Sequence, residues 1–190
     1  ALRGRGRLDE MKRAYTDALG LALFVATPAM VALVVLAEPV IAILYQRGLF
    51  THADTLQTAA ALRWMAAGIA SVALLRQTVP VFYALERVRV PVLMTVVNIV
   101  VFTASALALK GPFGHVGLCM ALSLAATVQA IGLVAVLRGT LGPLGLPRVA
   151  AGFARMLVAC APMGLAVHGL ARLGRWSEGG NSPRNIAVLA

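Results

Sequence analysis

Long apolar runs separated by short polar segments dominate the sequence. Two of these runs hold 20 residues without a charge, 18–37 and 90–109, and a third uncharged run extends over 111–137. Because a helix rises about 1.5 Å per residue, about 20 residues cross a hydrocarbon core of about 30 Å. The runs are apolar on every side, whereas strands of a membrane barrel would alternate apolar and polar residues. The pattern predicts an all-α fold, a polytopic bundle of transmembrane helices.

Two further spans are interrupted by charged residues. The second span is predicted from about residue 53 to 79, and the fifth from about residue 149 to 171. Thr51, with Asp54 three residues later, is typical of a helix N-cap with an acid in the first turn. This pair predicts that the second span begins close to residue 53.

The spans divide the chain into four parts. We predict a connector at 1–14, four transmembrane helices within 15–138, a loop and a fifth transmembrane helix over 139–172, and a tail at 173–190. The tail becomes apolar again at 186–190, as in the first turns of a sixth helix that is cut off. We therefore expect the chain to be a piece of a longer membrane protein.

The composition supports a membrane location and excludes a soluble globule. Hydrophobic residues make up 60% of the chain, charged residues 13%, and the mean hydropathy is +0.86. A soluble domain carries about 25% charged residues. The net charge of +10 would also suit a nucleic-acid-binding protein, but the positive residues are dispersed over both sides of the predicted bilayer. We therefore expect no nucleic-acid partner.

The distribution of Lys and Arg predicts the orientation, because these residues accumulate in cytoplasmic loops. Of the 17 in the chain, nine lie on the side of the N-terminal segment, five on the other side, and three within the spans. The N-terminus of this chain is therefore predicted to be cytoplasmic, and the tail after the fifth span extracytoplasmic.

Polar and charged side chains are costly at membrane depth, and five of those within the spans are candidates for a substrate cavity. Arg63 and Arg76 are thirteen residues apart, which at about 100° per residue leaves them about 220° from a common helix face. Each arginine either snorkels to a headgroup or faces an aqueous cavity, where its guanidinium would bind a phosphate. Gln77, Asn98 and Gln129 either join helices by hydrogen bonds or line the same cavity.

The sequence contains no motif of a soluble enzyme. It has no P-loop, no Gly-x-Ser-x-Gly and no metal-ligand spacing among His52, His115 and His168. Each of these histidines lies at or near a predicted span end, where an interfacial role is expected. We therefore predict that the protein is not an enzyme and holds neither a metal nor a cofactor.

Several blocks of sequence occur in a characteristic order and spacing over about residues 8–138. Among them are LYQRGLFT at 44–51, PVFYA at 80–84 and GHVGL at 114–118. Together these blocks resemble the MurJ (MviN) family of lipid II flippases. The resemblance implies about helices nine to thirteen of a fourteen-helix protein of the bacterial inner membrane, of the multidrug/oligosaccharidyl-lipid/polysaccharide exporter superfamily.

The resemblance also implies a function and a set of partners. Members of the family move lipid II, the undecaprenyl-pyrophosphate-linked peptidoglycan precursor, from the inner to the outer leaflet by alternating access, for cell-wall synthesis. The implied partners are lipid II, membrane lipids and the N-terminal lobe of the same protein. Two alternatives stay open: an exporter of another lipid-linked oligosaccharide, and a non-transporting membrane scaffold for cell-wall enzymes.

Some residues match family positions. Arg76 matches a position that is basic in the family, which favours a cavity role. In the predicted cytoplasmic loop, Arg89 matches a basic residue that precedes a Thr-Pro pair, although Val90 replaces the Thr. Glu86 and Arg87 lie where the family has an acidic and a basic or polar residue, with the acid shifted by about one place. The resemblance thus adds this loop to the candidate functional residues.

Overall fold

The computed structural model describes residues 2–171, and the side chains of residues 8–169. Over that range it consists of helices and short connections with no strand, which confirms the all-α prediction. The helices are α1 (Leu2–Tyr45), α2 (His52–Ala67), α3 (Ile69–Ala84), α4 (Arg89–Leu141) and α5 (Leu146–Ala171). The predicted tail at 173–190 and its apolar end lie outside the described residues.

Helix α4 is a hairpin of two antiparallel arms rather than one rod. Gly114 has φ 56° and ψ −130°, a conformation that is not helical and that glycine adopts without a Cβ penalty. Beyond this turn, Gln129 Nε2 lies 3.4 Å from Thr95 Oγ1. In a straight helix these residues would be about 50 Å apart. The first arm (89–113) and the second arm (115–141) correspond to the two apolar runs seen in the sequence.

The helices pack in a different order from their order in the chain. Helix α1 contacts α5 on one side and α2 and α3 on the other, and α2 and α3 also contact α4. Helix α1 runs antiparallel to the pair α2–α3. Tyr15 Oη of α1 lies 3.0 Å from Thr78 Oγ1 near the end of α3, whereas Arg63 Nε of α2 donates to the Val34 carbonyl at 3.3 Å. The continuous pair α2–α3 is therefore the centre of the described bundle.

The largest buried side chains of the core lie toward one end of the bundle. Phe82 of α3 and Leu133 and Leu137 of α4 are fully buried, and they form one cluster with Leu19 of α1. Leu144, in the connection between α4 and α5, completes this cluster at 3% exposure. The core thus ties three helices to the loop that leads into α5.

Three connections meet at the same end. Thr16 Oγ1 of α1 is 3.2 Å from the Leu144 carbonyl, and Arg87 in the α3–α4 connection donates to Thr140 Oγ1 at 3.2 Å. We call this end the basic end, because its side chains include the cations Lys12, Arg13, Arg87, Arg89, Arg138 and Arg148. It is the end at which the sequence count found the excess of positive charge.

Two boundaries of the sequence analysis can be compared with the helices. Helix α1 begins at Leu2, so the polar segment predicted as a connector at 1–14 is helical from residue 2 onward. At the start of α2, Thr51 and Asp54 form a reciprocal capping box, with Thr51 N–H donating to Asp54 Oδ2 at 2.8 Å and Asp54 N–H donating to Thr51 Oγ1 at 3.3 Å. The predicted N-cap is confirmed.

Four helical stretches are long and apolar enough to cross a membrane by length and composition: Leu8–Tyr45, His52–Ala84, Arg89–Leu141 and Leu146–Gly169. Large apolar side chains are exposed along them, among them Leu21, Phe24, Leu93, Ile99, Val158 and Leu165. In water such surfaces would be unfavourable. They are the surface expected of a helical protein whose solvent is lipid.

Candidate functional site

A groove of about 390 Å³ lies between α2–α3 and the second arm of α4. Its walls are mostly apolar, with Met65, Ile69 and Val72 on one side and Leu122 and Ala126 on the other. Arg76 also lines it and is the one charged residue among its lining side chains. We call this cavity the Arg76 groove.

The groove exists because α2 and α3 approach the second arm of α4 closely at one point. A Cβ atom on Gly68, the residue between α2 and α3, would lie 2.8 Å from Ser123 Oγ. A Cβ atom at residue 68 would therefore require the Ser123 side chain to shift. About one helical turn further along both helices, the hydroxyls of Ser71 and Thr127 are hydrogen-bonded at 2.9 Å. Small and polar residues therefore form the contact, and larger apolar residues form the groove beside it.

Arg76 has no hydrogen-bond or ion-pair partner among the side chains that the structure describes. It is exposed and lies next to apolar walls. A guanidinium in this position can bind a phosphate through two parallel hydrogen bonds, while an apolar chain attached to that phosphate contacts the walls. The geometry therefore suits an amphipathic anion.

Arg63 is held differently, on the other side of α2. Its Nη2 lies 3.8 Å from Glu38 Oε2 of α1, and its Nε donates to the Val34 carbonyl. Arg63 and Arg76 thus contact different helices, as the turn angle between them predicts. The charge of Arg63 is already balanced by a carboxylate, and that partner could not be foreseen from the spacing alone.

The three amides have separate surroundings. Gln129 joins the two arms of α4 through Thr95. Gln77 lines a cavity of about 230 Å³ between α1 and α3, beside Tyr15 and Pro80. Asn98 is half-buried on the first arm of α4, and its side chain has no hydrogen bond to the described residues. The structure does not bring these amides together with Arg76, which is the one of the five membrane-depth candidates that lines the groove.

The candidate loop residues lie at the basic end. Glu86 has φ 58°, a left-handed conformation that is uncommon outside glycine, where the chain turns from α3 into α4. Arg87 beside it donates to Thr140 and so ties this turn to the end of the second arm. Arg89, the first residue of α4, has no side-chain partner among the residues described.

Two polar contacts had no signal in the sequence. Tyr15 and Thr78 are both buried, and their hydroxyls pair between α1 and α3. Ser123 Oγ donates to the Trp64 carbonyl at 2.6 Å, across 59 residues of chain. Both contacts depend on how helices are placed against each other. Among the described residues, no group of three or more His, Cys, Asp or Glu side chains could hold a metal ion.

The fold and the groove together define a polytopic α-helical integral membrane protein with a cation beside an apolar groove. A sequence model of the family described as lipid II flippase MurJ matches residues 4–181. The chain belongs to the MurJ family.

Individual relatives agree with this family. A probable lipid II flippase MurJ of Rhizobium meliloti is 31% identical over 173 residues, which are 88% of this chain and 31% of that protein. Its counterpart of Bdellovibrio bacteriovorus is 32% identical over 134 residues, 70% of this chain and 26% of the relative. A third, of Rickettsia prowazekii, is 32% identical over 110 residues, 58% of this chain and 22% of the relative. The matched part of the chain thus spans about a fifth to a third of the length of these curated relatives.

Proposed function

We propose that this chain is part of a lipid II flippase, which moves the undecaprenyl-pyrophosphate-linked precursor from the inner to the outer leaflet by alternating access. The observation that carries the proposal is the family match over residues 4–181. The Arg76 groove supports it, because a cation beside apolar walls is complementary to a phosphate attached to a polyprenyl chain. On this proposal the protein is a transporter and not an enzyme.

The proposed arrangement in the membrane follows from the distribution of charge. The protein lies in the bacterial inner membrane with the basic end, and hence the N-terminus of this chain, on the cytoplasmic side. Residues 15–138 supply four transmembrane helices of the C-terminal lobe, residues 139–172 a loop and the fifth, and residues 173–190 an extracytoplasmic tail. The N-terminal lobe of the same protein and membrane lipids are the remaining partners.

Within this part of the flippase, Arg76 is the proposed contact to the substrate phosphate. Its lack of an internal partner supports this role, since a bound anion would then compete with no carboxylate of the described chain. Arg63 is a weaker candidate for binding the phosphate, because Glu38 already balances its charge. Gln77, Asn98 and Gln129 remain candidates for the substrate cavity, and Glu86, Arg87 and Arg89 remain candidate functional residues of the cytoplasmic loop.

Complementation by the whole protein tests the proposal. The full-length gene that contains this segment is expressed in a bacterium depleted of its own lipid II flippase, and lipid II in the outer leaflet is quantified by cleavage from the periplasmic side. Restored growth together with restored cleavage is the expected result. A well-expressed protein that restores neither would contradict the lipid II assignment.

A flippase or exporter for another lipid-linked oligosaccharide is the second candidate. The observation that favours it is the groove itself, whose lining offers a cation and apolar walls that any polyprenyl-linked phosphate would fit. The same assay separates the two, because an exporter of a different sugar would leave lipid II in the inner leaflet.

A further inference from the structure

The junction between α2 and α3 replaces one helical hydrogen bond by a bond to another helix. At Gly68 the backbone N–H is directed to the carbonyls of Met65 and Ala66. In a continuous α-helix it would donate to the carbonyl of Trp64, four residues back. That carbonyl instead accepts the hydroxyl of Ser123, at 2.6 Å, from the second arm of α4. A side chain thus inserts into the helical ladder, which is one of the recognised causes of a helix kink.

Ser123 makes a different bond from three threonines of its own helix. Thr95, Thr127 and Thr140 each donate to the carbonyl four residues earlier in α4, at 2.7 to 3.0 Å. This local bond is the usual one for a hydroxyl inside a helix. Ser123 could make it to Cys119, yet it donates across the interface to Trp64. The bond of Ser123 is therefore a contact between helices. Each partner has an alternative within its own helix: the Cys119 carbonyl for the Ser123 hydroxyl, and the Gly68 N–H for the Trp64 carbonyl.

The interface around Ser123 leaves it little freedom. A Cβ atom on Gly68 would lie 2.8 Å from Ser123 Oγ and 3.3 Å from its Cβ. One turn further along, Thr127 donates to the Ser123 carbonyl, so the single hydroxyl hydrogen of Thr127 is used and Ser71 donates to Thr127 Oγ1. Ser123 thus takes part in two contacts beside the junction, its hydroxyl donating to the Trp64 carbonyl and its own carbonyl accepting from Thr127. Gly68 and Ser123 both line the Arg76 groove as well.

We propose that Ser123 is a positioning residue, which holds α2–α3 in its interrupted form and thereby sets the shape of the Arg76 groove. When Ser123 releases Trp64, the Gly68 N–H takes over the carbonyl, and the Ser123 hydroxyl donates to the Cys119 carbonyl. The Gly68 N–H, the Trp64 carbonyl and the Ser123 hydroxyl each keep a partner in this exchange, which matters because unsatisfied polar groups are costly in a membrane. Helix α2–α3 then straightens, and Arg76 moves relative to Met65 on the far side of Gly68. The inference rests on the proposed function, because the straightening of α2–α3 would be one of the movements by which alternating access occurs.

Distance measurement on the whole protein tests the exchange. Spin labels are placed at Leu56 on α2 and Tyr83 on α3, whose side chains are exposed in this structure, and the distance distribution between them is measured in lipid nanodiscs. In Ser123→Ala the Trp64 carbonyl loses its partner on α4, so the distribution shifts by a few ångströms to longer distances. Gly68→Ala breaks the same contact from the other side, because the added Cβ displaces the hydroxyl. We expect the same shift there.

Matched variants separate this role from a general loss of packing. Thr58→Ala removes a hydroxyl that bonds only the Asp54 carbonyl of its own helix, and we expect an unchanged distribution. Ser123→Thr keeps the hydroxyl and should restore the wild-type distances. Lipid II translocation should fall at least threefold in Ser123→Ala and recover in Ser123→Thr.

The outcomes that overturn the inference are distinct from those that overturn the function. Wild-type distances in Ser123→Ala would contradict the proposed hydrogen-bond exchange. A shift in only one of the two variants Ser123→Ala and Gly68→Ala would contradict it as well. Should Ser123→Ala yield no folded protein, Gly68→Ala decides alone. If the wild-type protein translocates no lipid II, the proposed function fails, while the distances still report on the junction.

Discussion

The two faces of α2–α3 each carry an arginine, and the surroundings of the two arginines differ. On the face toward α1, Arg63 is joined to Glu38 and to the Val34 carbonyl, so its charge is balanced within the protein. On the face toward α4, Arg76 lies beside an apolar groove with no partner among the described side chains. On the proposed function, Arg63 stabilises the bundle on the face toward α1, and Arg76 on the face toward α4 binds the substrate phosphate.

The largest expected effect concerns Arg76. We expect Arg76→Ala in the whole protein to lower lipid II translocation about tenfold to a hundredfold, because a hydrogen bond to a charged group contributes about 1.5–3 kcal/mol. Arg76→Lys should recover part of the activity, since it keeps the charge and loses the paired geometry. Periplasmic cleavage of lipid II measures both variants at matched protein levels.

Arg63→Ala is the control for this prediction. It should reduce translocation less than Arg76→Ala does, and equal losses in the two variants would remove the contrast between the two faces.

Next in size is the buried contact between α1 and α3. Tyr15→Phe removes the hydroxyl that pairs with Thr78, and we expect the free energy of unfolding in detergent to fall by about 1 kcal/mol. Thr78 keeps its bond to the Leu74 carbonyl, so no buried donor is left without an acceptor. Denaturant titration measures the change. Translocation should stay near the wild-type value, and a marked loss of translocation with unchanged stability would mean that the α1 face takes part in transport.

A smaller effect is expected for the ion pair of Arg63. Both side chains are partly exposed, at 44% for Arg63 and 28% for Glu38, so their coupling should be about 0.5–1 kcal/mol. A double-mutant cycle with Glu38→Gln and Arg63→Gln measures this coupling as the departure from additivity. Strictly additive changes would show that the charge of Arg63 is not balanced by Glu38, and the two arginines would then be alike.

The smallest effect is expected for Gln129. Its bond to Thr95 is long, at 3.4 Å, and hydrogen bonds between membrane helices average about 0.6 kcal/mol. Gln129→Leu keeps the volume, so the thermal midpoint and the translocation rate should both change little. If translocation alone fell severalfold, Gln129 would belong to the transport path and the second arm of α4 would have a second functional position.

Features that depend on neighbouring residues in the chain were predictable from the sequence. The apolar runs indicated the helices, and the spacing of Thr51 and Asp54 indicated the N-cap of α2 that the structure contains. The turn angle also separated Arg63 from Arg76. In each case the local geometry of a helix is sufficient, and it holds between Arg63 and Arg76 because Gly68, between α2 and α3, keeps right-handed helical φ and ψ of −74° and −12°.

Features that depend on the placement of one helix against another were not predictable. The span predicted over 53–79 carries no sign that it is interrupted at Gly68, because the residue that replaces the lost hydrogen bond, Ser123, lies on another helix. Glu38 and Arg63 likewise meet only because α1 and α2 pack with a particular stagger. A single sequence does not specify such staggers. The sequence therefore indicated a charged residue at Arg76 but not the groove beside it.

The packing of α5 against α1 has a consequence for biosynthesis. Gly164 of α5 lies against α1, where a Cβ atom would be 3.3 Å from Val31 Cγ1 and 3.7 Å from Val35 Cγ2. Helix α1 ends at Tyr45 and α5 begins at Leu146, so about a hundred residues are synthesised before this face of α1 can contact α5. The contact between α5 and α1 is therefore made out of chain order, after α2, α3 and α4 have been synthesised.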